Sequence, residues 1–255
     1  MKASIDYTLV VPNRKRAHNM EALRRLLPTA TLCVDEREAA EYSAVVPEEL
    51  LLLHPPLDGL PHVTNWLLDH LPTPIIIRLD DDFRGVVVTA SGRRLTDPDE
   101  ILAILENAAR CCADLRLGAF CFSRTPNTSV IRPAERPIVP VQAVCSAFGV
   151  MNAARHRKLD PEVHGRADVD YTLQTLLEDR CVFADVRFYF DFGPIGYGTG
   201  GSSGMISKRG YENATRRLIN RWGRAVGANH TGYGKSRKSS PLKIKVSRTN
   251  PRAQR

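Results

Sequence analysis

Several things are missing from this 255-residue chain, and each absence narrows what it can be. No apolar run approaches the ~20 residues that a helix needs to cross a bilayer, so no membrane partner is expected. The opening stretch MKASIDYTLVVP carries one Lys and an apolar run too short for a secretory leader, which points to a soluble protein of the cytoplasm. The six cysteines, Cys33, Cys111, Cys112, Cys121, Cys145 and Cys181, form no C-x-x-C pair. Most lie in apolar runs, as reduced core thiols do, rather than in the spacing of zinc ligands or disulfides. Neither standard phosphate-binding loop is present: no G-x-G-x-x-G follows the first strand, and Gly234-Lys235-Ser236 is not a P-loop because Asn229 stands where its first glycine belongs. A nucleotide bound here needs a metal ion and arginines to hold its phosphates.

Acids are scarce at one end. From Met205 onward there are fourteen Lys and Arg against the single acid Glu212, a net of +13 in a chain whose total is +8, which leaves −5 for the first 204 residues. Such a segment either neutralises nucleic-acid phosphates with release of counterions or is a solvated tail. Arg209, Arg216, Lys235, Arg237 and Lys238 are the candidate DNA contacts.

The pattern of apolar runs predicts strands at Ile5 to Val11, broken at Pro12, at Leu32 to Val34, and at Leu50 to Leu53, with helical segments between them. That alternation argues for a mostly parallel sheet flanked by helices, an α/β fold. A helix is expected over Asn65 to Leu71, a small hairpin around Ser91-Gly92, and a well-capped helix opening at Asp97-Pro98 with Glu100 behind it. Ala119 to Ser123, Val139 to Met151 and Val182 to Phe192 read as further strands, and Tyr211 to Trp222 as a basic helix. The glycine-rich stretch Gly193 to Gly204 is either a passive linker or a lid over a site.

The stretch that concentrates chemistry is Pro74 to Phe83, PIIIRLDDDF: a buried β-branched strand ending in Asp80, Asp81 and Asp82. Three adjacent carboxylates repel one another unless a cation compensates, and Mg²⁺ or Mn²⁺ takes oxygen ligands of this kind at the strand end where α/β sheets bind ligands. The competing reading is a simple Asp-rich turn. Asp168, in ADVDYTL, sits where a helix N-cap would, and Asp170 suits the first turn by its charge alone.

Taken as an ordered set, VVPNRKR after the first strand, DE ending the second, LDDD ending a mid-chain strand and ADVDYTL opening a later helix resemble a GT-A glycosyltransferase. More narrowly, the chain is similar to the TET-associated glycosyltransferases of bacteriophages, which act on 5-hydroxymethylcytosine in DNA. For a phage protein the cytoplasm would be that of the host. The resemblance spans roughly Leu9 to His230, implying one GT-A-like domain over residues 1–230 and a basic tail over 231–255. It implies that Asp80 and Asp82 bind a divalent cation, Mn²⁺ or Mg²⁺, with His230 as a further ligand. Pro12, Arg14, Arg16, Asp35, Asp80 and Asp81 would contact the nucleotide sugar, a UDP-linked glucose or N-acetylglucosamine. Asp168 falls where inverting relatives place their general base, although Ala167 replaces the Glu that precedes it there. The rivals are the same enzyme with a protein, glycan or small-molecule acceptor, a metal-dependent nuclease or nucleotidyltransferase, and a silent DNA-binding module.

Overall fold

Short apolar runs alternating with amphipathic helices build one mixed sheet covered on both faces. The computed structural model of the chain describes residues 5–163, 165–192, 208–228 and 242–244. The proposed lid Gly193 to Gly204, the candidate ligand His230 and the candidate DNA contacts Lys235, Arg237 and Lys238 lie outside the described residues. In chain order the elements are β1 (Thr8–Asn13), α1 (Met20–Leu26), β2 (Thr31–Asp35), α2 (Ala39–Ser43), β3 (Leu51–His54), α3 (Leu60–His70), β4 (Ile75–Leu79), β5 (Phe83–Val88), β6 (Arg94–Leu95), α4 (Pro98–Asp114), β7 (Ala119–Ser123), α5 (Thr128–Ile131), β8 (Ile138–Val139), β9 (Ala147–Met151), α6 (Ala167–Glu178), β10 (Phe183–Phe192), α7 (Lys208–Trp222), β11 (Val226–Ala228) and β12 (Leu242–Ile244).

The main sheet has the order β3-β2-β1-β4-β9-β7-β10-β5-β6, with β8 paired to β10. β1 to β4, β6, β7 and β10 point one way, while β5, β8 and β9 run against them. Side chains alternate across each strand, so two cores form. Leu9, Val11, Ile75, Ile77 and Leu79 pack against α1, α2 and α4, whereas Val10, Ile76, Phe148 and Val150 pack against α3, α6 and α7.

Several sequence expectations shift by a few residues for identifiable reasons. β1 runs through Pro12 to Asn13; its pairing with β4 has ended at Val10, so beyond that point β2 is its one partner strand and a missing N–H is tolerated. α3 starts at Leu60 rather than Asn65, with Gly59 at φ +88° before it and Pro61 in its first turn. The single strand expected over Val139 to Met151 is two, β8 and β9, separated by a segment that caps the ends of β7 and β4. Asp97 caps α4 as expected, accepting from the backbone N–H of Asp99 at 2.9 Å and of Glu100 at 3.2 Å. Finally, β12 pairs antiparallel with β11 in a two-stranded sheet apart from the main one.

Gly149 lies in β9 opposite Phe120 of β7, and a Cβ there would fall 2.1 Å from the Phe120 ring. Gly149→Ala should therefore destabilise the fold by roughly 1–3 kcal/mol, the usual range for overpacking a tight core, read as a lowered urea midpoint with an unchanged m-value.

Candidate active site

β1, β2, β3 and β4 end together, and their C-terminal edge gathers the polar residues Asn13, Asp35, His54 and Asp80. Asp80 leaves β4 with its backbone N–H donating to the Ser146 carbonyl at 3.0 Å, which ties the acidic turn to the segment before β9. β5 begins at Phe83, so Asp80, Asp81 and Asp82 occupy the whole connection. Their environments differ. The Asp80 and Asp82 side chains are 26% and 32% exposed, whereas Asp81 is turned inward at 9%.

Asp81 is held by Arg16, whose Nη1 hydrogen-bonds Asp81 Oδ1 and stands 3.8 Å from Asp82 Oδ2. Arg16 is itself buried and anchored, its backbone N–H donating to the phenol of the fully buried Tyr42 at 3.0 Å. Asp81 Oδ2 is buried with no hydrogen-bond partner. Burial, above all, and the charges of Asp80 and Asp82 push the Asp81 carboxyl up to about 7 against the pull of Arg16. The same desolvation raises Asp82, with Asp80 adding to it and Arg16 opposing. Two outward carboxylates beside a buried third, with Asp81 and Asp82 both disfavoured as anions, form an oxygen donor set that a hard divalent cation relieves. Among the described residues no three His, Cys, Asp or Glu side chains converge as a complete metal site.

The other predicted positions surround this turn. Pro12 is buried and Arg14 half-buried at the end of β1. The loop is fixed by the Lys15 N–H, which donates to Glu38 Oε2 at 2.7 Å. Asp35 accepts a two-point clasp from Arg37, Nε to Oδ1 at 2.8 Å and Nη2 to Oδ2 at 2.6 Å. Those hydrogen bonds hold its carboxyl down at about 2.

Asp168 does not cap α6. The helix begins at Ala167 with Arg166 in the cap position, and Asp168 lies in the first turn. Its carboxylate stands 3.5 Å from Arg124 Nη2 at the end of β7. Half-buried Cys145, next to the Ser146 carbonyl that receives the Asp80 N–H, donates its thiol to the Phe122 carbonyl at 3.8 Å, so the acidic turn and the end of β7 that carries Arg124 lie on the same edge. Asp170, two residues on, is fully buried and accepts from Trp222 Nε1 and Gln174 Nε2, each at 2.7 Å, with Arg221 at 3.4 Å. On α7, Arg217 and Arg221 pair with Glu162 and Asp160, while Arg209 and Arg216 are exposed with no carboxylate partner among the described residues.

Residues missed in the sequence are Arg78, Arg124 and His54. Arg78 is buried in β4 and donates to Asp80 Oδ1 at 2.8 Å; a charged residue inside an isoleucine run was its visible signal. His54 is buried at the end of β3 and is paired in register with Asp35.

No protein-family model and no curated protein matches the chain. Among solved structures, a mycobacterial protein aligns with a TM-score of 0.53 at 10% identity, covering 95% of this chain and 84% of that one. Glucosyl-3-phosphoglycerate synthase of M. tuberculosis aligns at 0.51 and 11% identity, covering 89% and 85%. Mannosyltransferase PcManGT from Pyrobaculum calidifontis, in complex with GDP-Man and Mn²⁺, aligns at 0.49 and 16% identity; this chain is covered over 86% of its length and spans 61% of the mannosyltransferase. The fold is thus the mixed α/β GT-A arrangement expected from the ordered motifs, with a mostly parallel sheet between helical layers.

The elevated Asp81 carboxyl has a definite sign. An acid whose folded value, about 7, exceeds its unfolded value of ~3.9 binds its proton more tightly in the folded state. Without divalent cations, stability should fall as pH rises between those values, and Asp81→Asn should flatten that slope in urea titrations at a series of pH values.

Proposed function

We propose that this chain is a metal-dependent glycosyltransferase that moves a sugar from a nucleotide-diphosphate sugar to the hydroxymethyl group of 5-hydroxymethylcytosine in DNA. The observation that carries the reading is the pair of outward carboxylates, Asp80 and Asp82, at the C-terminal end of β4, flanking an inward Asp81 clamped by Arg16. In support, the fold is shared with a protein whose name makes it a glucosyl transfer enzyme, glucosyl-3-phosphoglycerate synthase.

A divalent cation at Asp80 and Asp82, Mn²⁺ or Mg²⁺, would supply Lewis-acid neutralisation of the departing nucleotide diphosphate. His230 would be a further ligand in this reading. Pro12, Arg14 and Asp35 line the β1–β2 edge that receives the nucleoside, and Arg37 fixes Asp35 in an ionised, acceptor-only form there. Arg16 and Asp81 act by holding the turn: their ion pair sets where Asp80 and Asp82 point. Asp168 accepts the proton of the acceptor hydroxyl as it attacks the anomeric carbon, and Arg124, 3.5 Å away, orients the carboxylate for that step. A base-linked acceptor in a duplex must leave the stack to reach Asp168, and Arg209, Arg216, Lys235, Arg237 and Lys238 hold the flanking phosphates.

The test is mass spectrometry of nucleosides digested from hydroxymethylcytosine DNA after incubation with the chain, Mn²⁺ and a panel of nucleotide sugars. A hexose- or N-acetylhexosamine-sized increment with one donor is expected. Asp82→Asn should lower it more than about 100-fold, in keeping with loss of an ion that stabilises transition-state charge by several kcal/mol. Donor hydrolysis without a nucleoside increment would discard the DNA acceptor and favour a small or phosphorylated one; intact donors would discard sugar transfer altogether. The charge reversals Arg209→Glu and Arg216→Glu should each reduce the slope of log affinity against log salt for DNA by about one, since each removes a phosphate contact.

A further inference from the structure

We propose that Arg78 is the positioning residue of the cation site: it fixes one oxygen of Asp80 so that the other is presented to the ion. The inference rests on the reading of Asp80 and Asp82 as the carboxylates that hold the cation, and extends it to a side chain behind them.

β4 is buried along its length. Ile75, Ile77 and Leu79 belong to one core and Ile76 to the other, so the alternation sets Arg78 and Asp80 on the Ile76 face, two residues apart and adjacent. Placing a guanidinium there is costly, because a buried charge is tolerated only when it is paired with good geometry. Three contacts fix it. Its Cζ lies 4.9 Å from the ring centroid of Phe148, the residue directly opposite on β9. Nη1 donates to Thr64 Oγ1 of α3 at 3.3 Å, and Nη2 donates to Asp80 Oδ1 at 2.8 Å. A planar group held on its face by a ring and along its edge by a hydroxyl has little freedom, and Asp80 inherits that orientation.

Arg78 Nε is buried without a partner. The placement leaves one of the guanidinium's own donors unsatisfied while aiming Nη2 at Asp80, so the geometry serves the carboxylate rather than the arginine. Arg16 meets the turn through Asp81 and Asp82, and Arg78 through Asp80. The two arginines therefore have separate targets.

Positioning and simple charge balance predict opposite signs. If Arg78 only neutralised the turn, its removal would leave a more negative site that binds a cation more tightly. If it positions Asp80, its removal weakens binding. The decisive experiment titrates Mn²⁺ into the full chain without donor, following the free-ion EPR signal, for wild type, Arg78→Met, Arg78→Lys and Asp82→Asn, with folding checked by circular dichroism. Arg78→Met should weaken Mn²⁺ binding about tenfold, the low end of what loss of an outer-shell partner costs. Arg78→Lys keeps a charge and a donor but not the planar fork, and should weaken it about threefold. With nucleotide sugar present, the apparent KM for Mn²⁺ should rise in the same order while kcat at saturating Mn²⁺ changes far less, as expected when ground-state and transition-state binding are lost together.

Unchanged or tighter Mn²⁺ binding in folded Arg78→Met overturns the proposal. If Arg78→Met does not fold, Arg78→Lys decides by the same criterion. Failure of the underlying reading looks different: Asp82→Asn would then bind Mn²⁺ as wild type does, or wild type would not bind it at all.

Discussion

The contact on which the site depends is the buried ion pair of Arg16 and Asp81. Three successive carboxylates in a connection that leads straight from β4 into β5 would drive each other apart or take up protons. The guanidinium opposes both from inside, and the Arg16 backbone is anchored by its N–H donating to the Tyr42 phenol, itself part of the core beneath β1 and β2. Breaking such a pair is more damaging than never having had it, because the remaining charge stays buried. The outward orientation of Asp80 and Asp82 is thus secured from beneath by the core under the first two strands.

That arrangement divides the labour of one sheet edge. The β1 and β2 ends present fixed polar groups, with Asp35 clasped by Arg37 and Lys15 tied to Glu38, while the β4 end presents carboxylates with open oxygens. On the far side of β9, Arg124 and Asp168 form a looser, half-exposed pair. The order β1-β4-β9-β7 places the acidic turn between the two.

The fold was legible in the sequence because its strands are short, apolar and separated by clear helix signals. The Asp97 cap, the hairpin and the long aromatic strand β10 all form where the pattern placed them. Misreadings arose where tertiary context overrides local rules. Pro12 ends a strand by propensity, yet it is tolerated where one neighbour has stopped pairing. Asp168 has the right residue type for a cap, but Ala167 is already helical and Arg166 takes the cap position. The acidic turn was visible as a motif, but the roles within it were not. Which of three identical carboxylates turns inward depends on Arg16, which comes 65 residues earlier, and no local pattern encodes that contact. Arg78 stood out as a charge in an isoleucine run, but its role was hidden for a similar reason, because its partners Thr64 and Phe148 come from α3 and β9.

Asp170 leads to a different kind of statement. Its fully buried carboxylate is shared between α6, which carries Asp168, and the Trp222 indole at the end of α7, which carries the exposed Arg209 and Arg216. The two helices are joined through a group that has no water to fall back on, so a displacement of α7 is felt half a turn from Asp168. Such a linkage is reciprocal by thermodynamic necessity. Under the proposed function, a DNA contact that displaces α7 would change the affinity of an acceptor at Asp168, and the acceptor would change the DNA affinity by the same factor.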